Sequence, residues 1–273
     1  MRDVNCPVET ILAQIGESRK YRHIAPQVVV RIAHRAWERT RRDLKATIKE
    51  TKNALHQVAG AYFRSAPRYE AWQVVAESGQ VEAVLPDILA THASVAERDI
   101  ATLPDFYAQV FAHLDSPRSI LDLACGLHPV AFATYAPFAK EITYYAGDIY
   151  TDLEAFLNGV FPALDVKGRA FTCDLLGEGF ATKIAEEIGE VDVAFLFKIL
   201  PLLELWEKGA SARLLHALPV RQIVITYPTR SLGGNACGMA RNYAQHLAEI
   251  TAETNWRVEA LEFPRELCFV VTK

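Results

Sequence analysis

Four short stretches place polar side chains where an alternating strand and helix chain would form a ligand cleft. The first is Leu121-Asp122-Leu123-Ala124-Cys125-Gly126. An apolar strand ending in a small residue and a glycine can turn tightly and bring backbone close to a ligand with no Cβ in the way. The second ends at Asp148-Ile149, with the aspartate 22 residues after Gly126. A carboxylate at that offset can accept both hydroxyl hydrogens of a ribose. The third, Cys173-Asp174-Leu175, offers a carboxylate to an adenine amino group and an apolar flank to its ring. The fourth runs from Phe197 through Lys198 and Pro201 to Glu204. A lysine in so apolar a run must meet an anionic or dipolar partner or snorkel to water. Each stretch has a plainer reading alone, as a simple strand-to-helix turn or a helix cap. Two carboxylates in succession at nucleotide spacing favour a nucleoside cleft. A single glycine, where a dinucleotide fingerprint has three, counts against a nicotinamide cofactor.

These stretches need a sheet to position them. The pattern predicts strands at Ser119–Ala124, Thr143–Asp148, Arg169–Asp174, Val191–Lys198 and Gln222–Tyr227, with helical segments between. That order implies right-handed crossovers and a mostly parallel, doubly wound α/β sheet, whose ligands bind at the carboxyl ends of the strands. Arg257–Phe263 and Glu266–Thr272 flank a Pro264-Arg265 turn and read as a closing antiparallel hairpin. Seven strands with one antiparallel excursion are the pattern of class I, Rossmann-like methyltransferases. Ahead of the sheet, residues 1–104 read as a helical domain and linker, with 105–273 as the α/β domain. Helical signals run from Pro26 to about Gly60, from Tyr69 to Val84 and from Leu89 to Leu114. On one unbroken first helix, Arg31, Arg35, Arg42, Lys49, Lys52 and His56 would form a single basic ridge. A break near Thr40 would split it into two patches.

Charge supports two modules. The net charge of −4 conceals 14 Lys/Arg against 6 Asp/Glu in residues 1–68, and 15 against 27 in the remainder. A basic front suits a polyanion, and a solvated helix surface is the plainer alternative. The five cysteines are scattered with no CxxC spacing, and the eight histidines show no metal-ligand spacing. No metal site or disulfide framework is expected. The apolar run Val193–Leu205 is interrupted by Lys198 and Pro201, and the N-terminus lacks a signal-peptide core. A cytoplasmic protein without a membrane partner is expected.

The chain resembles the aminoglycoside-resistance methyltransferases that act on N7 of a guanine, the guanine(1405)-N(7) type, in the decoding site of 16S rRNA. The resemblance is carried by Ser18-Arg19-Lys20-Tyr21, Leu55-His56 with Gly60-Ala61-Tyr62, and His92-Ala93-Ser94 with Glu97-Arg98. It continues through Asp122 to Leu127, Phe197 to Glu204, Tyr227-Pro228-Thr229-Arg230-Ser231-Leu232-Gly233-Gly234, Gly238-Met239, Asn242-Tyr243 and Glu266-Leu267. It implies S-adenosylmethionine as cofactor. Arg98 would meet the methionine carboxylate, with Ala124 and Gly126 beneath the cofactor. Asp148 and Ile149 would lie at the ribose, Asp174 and Leu175 at the adenine. Lys198, Glu204, Arg230 and Met239 would face the target base. The N-terminal helices would grip 16S rRNA in an assembled 30S subunit, the protein acting as a monomer, and the basic front points to Lys20, Arg31, Arg35, Lys52 and His56 as the contacts. The family usually has Asn at the position of His128, often Lys at Cys237, and frequently an acid at Ala240.

Guanine N7 carries a free lone pair at neutral pH, so methylation there needs alignment and water exclusion rather than a general base. The absence of a Cys nucleophile or His base from these motifs fits that chemistry. Three other readings remain: a class I methyltransferase acting on another rRNA nucleotide or a small molecule, a nucleotide-binding oxidoreductase, and a noncatalytic RNA-binding module.

Overall fold

The apolar runs of the central strands are continuous rather than alternating, as parallel strands covered on both faces by helices require. In the computed structural model, which describes residues 6–60, 65–91, 100–229 and 239–273, they form one seven-stranded sheet. Its strands are β1 Ser119–Leu123, β2 Thr143–Asp148, β3 Lys167–Thr172, β4 Val191–Phe197, β5 Val220–Pro228, β6 Arg257–Phe263 and β7 Glu266–Thr272. The order is β3-β2-β1-β4-β5-β7-β6, parallel except for β7, which pairs antiparallel with both β5 and β6. Order reverses between β1 and β4, and their carboxyl ends flank the resulting crevice. Strands 1 and 4 stop one residue short of the sequence expectation because Ala124 and Lys198 adopt left-handed backbone, φ 55° and 59°. β3 ends two residues early, leaving Cys173 and Asp174 in the connection that follows.

Helices cover both faces. Ile120, Val193 and Phe195 point to one side, packing with Phe106, Tyr107, Phe132 and Tyr144. Leu121, Leu123, Ala194 and Leu196 point to the other, with Leu200, Leu214 and Ile225. This alternation follows from the two-residue period of a strand. The flanking helices α6 to α12 are Leu103–Phe111, His128–Tyr135, Thr151–Val160, Phe180–Ile188, Leu200–Trp206, Ala210–Ala217 and Met239–Thr251.

Ahead of the sheet lie α1 Val8–Gly16, α2 Pro26–Arg39, α3 Leu44–Leu55 with a π-turn at His56–Gly60, α4 Tyr69–Glu77 and α5 Val81–Thr91. The basic ridge is broken. Arg41 and Arg42 take left-handed backbone, φ 53° and 67°, and Asp43 restarts the chain as the cap of α3. The Asp43 carboxylate accepts from the Ala46 amide at 2.6 Å. The expected helix from Tyr69 to Val84 is likewise two, separated near Gly79, whose φ is +77°. α1 to α3 share a core of Ile11, Ile15, Val28, Ile32 and Leu55, against which Ile149, Tyr150 and Trp206 pack. α4 to α6 belong instead to the sheet's own core, where Tyr69 stacks on Phe156 at 4.8 Å. Backbone ties the first group to the end of β2. The Ala25 amide donates to the Ile149 carbonyl and the Thr151 amide to the His23 carbonyl, each at 2.8 Å.

Candidate functional site

A pocket opens at the carboxyl ends of β1, β2, β3 and β4. Its wall brings together Ala124, Asp148, Ile149, Asp174, Leu175 and Lys198, six residues expected there from sequence. Val28 and Arg31 of α2, and Val58 and Ala59 of the π-turn, close it from the N-terminal side. Leu202, Leu203 and Trp206 of α10 contribute another wall. The open space is ≈ 860 Å³, including solvent at its mouth.

Backbone amides hold the ends of β1 and β2 against each other. The Gly126 amide donates to Asp148 Oδ2 at 2.8 Å, and the Ile149 amide to Oδ1 at 2.7 Å. The surrounding protein desolvates this carboxylate and raises it to about 6, an effect those amides only partly offset. Beneath the turn lies a buried polar cluster. His128 Nδ1 is 2.8 Å from Asp122 Oδ2 and donates to it, leaving Nε2 to meet the Tyr107 hydroxyl at 3.0 Å. The Tyr144 hydroxyl donates to the same Asp122 oxygen at 2.7 Å. The departure at His128 is therefore answered inside the fold, where the imidazole braces the turn that carries Gly126.

Lys198 reaches inward rather than to water. Its amide donates to the Thr226 carbonyl at 2.8 Å, and its Nζ is 3.8 Å from Glu266 Oε2, with side-chain exposures of 8% and 2%. It also borders a second cleft lined by Thr102, Phe106, Gln109, Phe263, Pro264 and Arg265. Sequence reasoning misses Glu266 as a member of the site. A lone acid within the apolar strand Glu266-Leu267-Cys268-Phe269-Val270 is the signal that could have found it, because such a group needs a partner.

Other expected residues are elsewhere. The Glu204 carboxylate is turned to the start of α11, accepting from the Gly209 amide at 2.9 Å and the Ser211 amide at 2.8 Å. Desolvation opposes its ionisation, but those amides, the Ser211 hydroxyl and His246 prevail and hold it below its usual range. Met239 begins α12, and Arg98, Arg230 and Cys237 lie outside the described residues. Of the five expected RNA contacts, Arg31 and Arg35 face the α/β body. Arg31 forks onto both oxygens of Asp174, at 2.6 and 2.9 Å. Arg35 donates to the Trp206 carbonyl and lies over that indole. Their place on the helical wheel is as expected, but the packing of α2 turns Arg31 to the pocket, while Arg35 stays exposed beside Trp206. Lys20 and His56 are exposed and meet each other at 2.9 Å, and Lys52 is half-buried. The solvent-facing basic residues nearby are Arg39, Arg41, Arg42, Lys45 and Lys49. Among the described residues no cluster of His, Cys, Asp or Glu could hold a metal ion, and no helix is long and apolar enough to cross a membrane.

Comparison with known proteins places this geometry. The model of the family described as ribosomal RNA methyltransferase (FmrO) matches residues 17–270. The chain belongs to that family. It is 33% identical over 274 aligned residues to a 16S rRNA (guanine(1405)-N(7))-methyltransferase of Micromonospora rosea, covering 97% of each chain. A protein of the same description from Frankia casuarinae is 34% identical, covering 97% of this chain and 94% of that one. Among solved structures, the 16S rRNA methyltransferase RmtF in complex with S-adenosyl-L-homocysteine superposes with a TM-score of 0.82 at 28% identity, covering 98% and 99% of the two chains. The 16S rRNA methylase RmtB gives 0.78 at 27%, with the same coverage. The class I methyltransferase fold, with its mostly parallel sheet and antiparallel hairpin, is as the sequence pattern implied.

The buried cluster carries a stability prediction. His128→Leu removes the Nδ1 donor from Asp122, whose exposure is 1%, and takes one hydrogen-bond partner from the Tyr107 hydroxyl. A buried acceptor left short of a donor costs about 1–3 kcal/mol. Urea unfolding should show the midpoint falling accordingly, and an unchanged midpoint would mean that the cluster does not brace the turn.

Proposed function

We propose that this chain is a 16S rRNA (guanine(1405)-N(7))-methyltransferase, transferring a methyl group from S-adenosylmethionine to a decoding-site guanine and thereby conferring aminoglycoside resistance. Identity of 33–34% along 97% of the chain to proteins of that description is the observation that carries the reading. The pocket fits a nucleoside cofactor. Carboxylates stand at two adjacent strand ends, apolar side chains lie between them, and the buried Trp206 indole N–H meets no acceptor among the described residues.

When bound, S-adenosylmethionine supplies an electrophilic methyl group on its sulfonium. Asp148 would accept the ribose hydroxyls, Asp174 the adenine amino group, with Leu175 and Ile149 against the rings. The backbone at Ala124 and Gly126 would pass beneath the cofactor, and Arg98 would pair with its carboxylate. Arg230 and Met239 would face the base, with Lys198 at the pocket wall supplying a cation. None of these need remove a proton, because guanine N7 presents a lone pair; their work is alignment and exclusion of water. A stacked guanine must leave its helix to be reached, at a cost of a few kcal/mol. The rRNA grip would fall to the N-terminal helices on an assembled 30S subunit, with the protein acting as a cytoplasmic monomer. Packing supports a gripping unit that ends at about residue 60, since the helices from Tyr69 onward share the sheet's core.

Incubated with S-adenosylmethionine and 30S subunits, the protein should produce a single N7-methylguanine in the decoding site, mapped by borohydride and aniline cleavage with primer extension. Its expression should protect a susceptible bacterium from gentamicin and kanamycin but not from apramycin; methylation at another nucleotide or only of a small molecule would overturn the reading. Cofactor affinity should fall with acidity. Protonation of Asp148, raised to about 6, removes acceptors that the ribose hydroxyls need, so calorimetry should find tight binding at pH 7.5 weakening as pH drops through that value. Asp148→Ala should bind roughly tenfold or more weakly at pH 7.5, and a flat profile in the parent would remove Asp148 from the site. Neutralising Arg41, Lys45 and Lys49 together should reduce the salt dependence of 30S binding by roughly 0.7–0.9 log units per lost phosphate contact. A parental slope would show that this basic surface is merely solvated.

A further inference from the structure

The sequence pattern assigns Arg31 to RNA, yet its side chain belongs to the pocket. From the second turn of α2, 143 positions away in sequence, its guanidinium forks onto Asp174: Nε to Oδ2 at 2.6 Å, and the Nη2 nitrogen to Oδ1 at 2.9 Å. The Leu176 amide adds a third donor to Oδ1 at 3.1 Å. Two parallel bonds from a planar fork fix a carboxylate in rotation as well as in position, which a single point charge does not. The Asp174 side chain is 8% exposed and that of Arg31 25%. The arginine carrier is itself fixed. The Ala25 amide, one residue before α2 begins, donates to the Ile149 carbonyl beside Asp148, and Val28, one turn ahead of Arg31, lines the same pocket.

A carboxylate has about four lone-pair directions. Among the described residues, two on Oδ1 meet Arg31 and Leu176, and one on Oδ2 meets Arg31. The remaining Oδ2 direction meets no donor among the described residues. We propose that Arg31 is a positioning residue for nucleobase recognition: its fork aims the free Oδ2 lone pair of Asp174 at the exocyclic amino group of the cofactor's purine. The N-terminal helix α2 thus helps the cofactor site select a 6-aminopurine, rather than serving the rRNA alone. This rests on the reading of the pocket as an S-adenosylmethionine site.

The test measures selection rather than affinity alone. S-adenosylhomocysteine and its 6-oxo analogue, S-inosylhomocysteine, are titrated by calorimetry into the parent, Arg31→Lys, Arg31→Gln, Asp174→Asn and the double variant Arg31→Gln with Asp174→Asn. The parent should prefer the amino compound by about tenfold or more, because the 6-oxo group faces a carboxylate oxygen without a hydrogen to give. Arg31→Gln should lose most of that preference, and Arg31→Lys, which keeps the charge but not the fork, should retain only part. Adding Arg31→Gln to Asp174→Asn should change the preference no further. Thermal melts identify any variant that has not folded; should Arg31→Gln be one, the Arg31→Lys result decides. An equal loss of affinity for both compounds would reduce Arg31 to a packing element and overturn the proposal. So would a parental preference in Arg31→Gln with a flattened salt slope for 30S binding, which would return Arg31 to the RNA. If the parent binds neither compound, it is the cofactor reading itself that fails.

Discussion

The amide clamp on Asp148 is the constraint around which the pocket is arranged. Gly126 follows β1 and Ile149 follows β2, and both give their amide hydrogens to one carboxylate. That arrangement requires β1 and β2 to be parallel and in register, with Leu123 level with Gly147. It also requires the chain after β1 to turn at once, which the left-handed backbone of Ala124 and Gly126 provides, φ 55° and 52°. Beneath it, Asp122 is held by His128 and Tyr144. An anion so placed has its charge shared among amides without being cancelled by a cation, and it keeps acceptor capacity toward the pocket.

Four strand ends alone would make an open trough. The N-terminal helices convert it to a pocket, and they do so with charged groups as well as apolar ones. Arg31 pairs with Asp174, and Arg35 with the last carbonyl of α10. One of the cations that make the front of the chain basic, Arg31, is therefore paired with an acid of the remainder of the same molecule, while Arg35 stays exposed against Trp206. A sequence-wide charge asymmetry has two physical outlets here: internal pairing where α2 meets the sheet, and solvent exposure from Arg39 to Lys49. On the second, Arg39 lies beside Glu50 and Arg42 beside Glu38.

Much of this is legible in the residues alone. The strands are readable because hydrophobic runs and their periodicity are local properties, and a strand's end can be seen in its neighbours. Asp148, Asp174, Ala124 and Lys198 fall at one rim because parallel crossovers deliver every strand end to the same side. The helical segments are readable as well, but their breaks are less so. At Thr40 the sequence leaves a break open as an alternative. The break at Ser78-Gly79 is masked, because apolar positions at helical spacing continue on both sides of it.

What the residues themselves determine is thus the α/β order, the identity of the strand-end groups and the presence of a basic front. Tertiary structure alone decides what each charged group faces. Arg31 and Asp174 meet across 143 positions, and Lys198 approaches Glu266 from a different strand. Glu204, near the expected rim, is claimed by the amides of α11 instead. The reason is physical. Periodicity records which side of an element is buried, whereas the partner of a buried charge depends on which other element is packed there, and that choice is made only when the whole chain closes on itself.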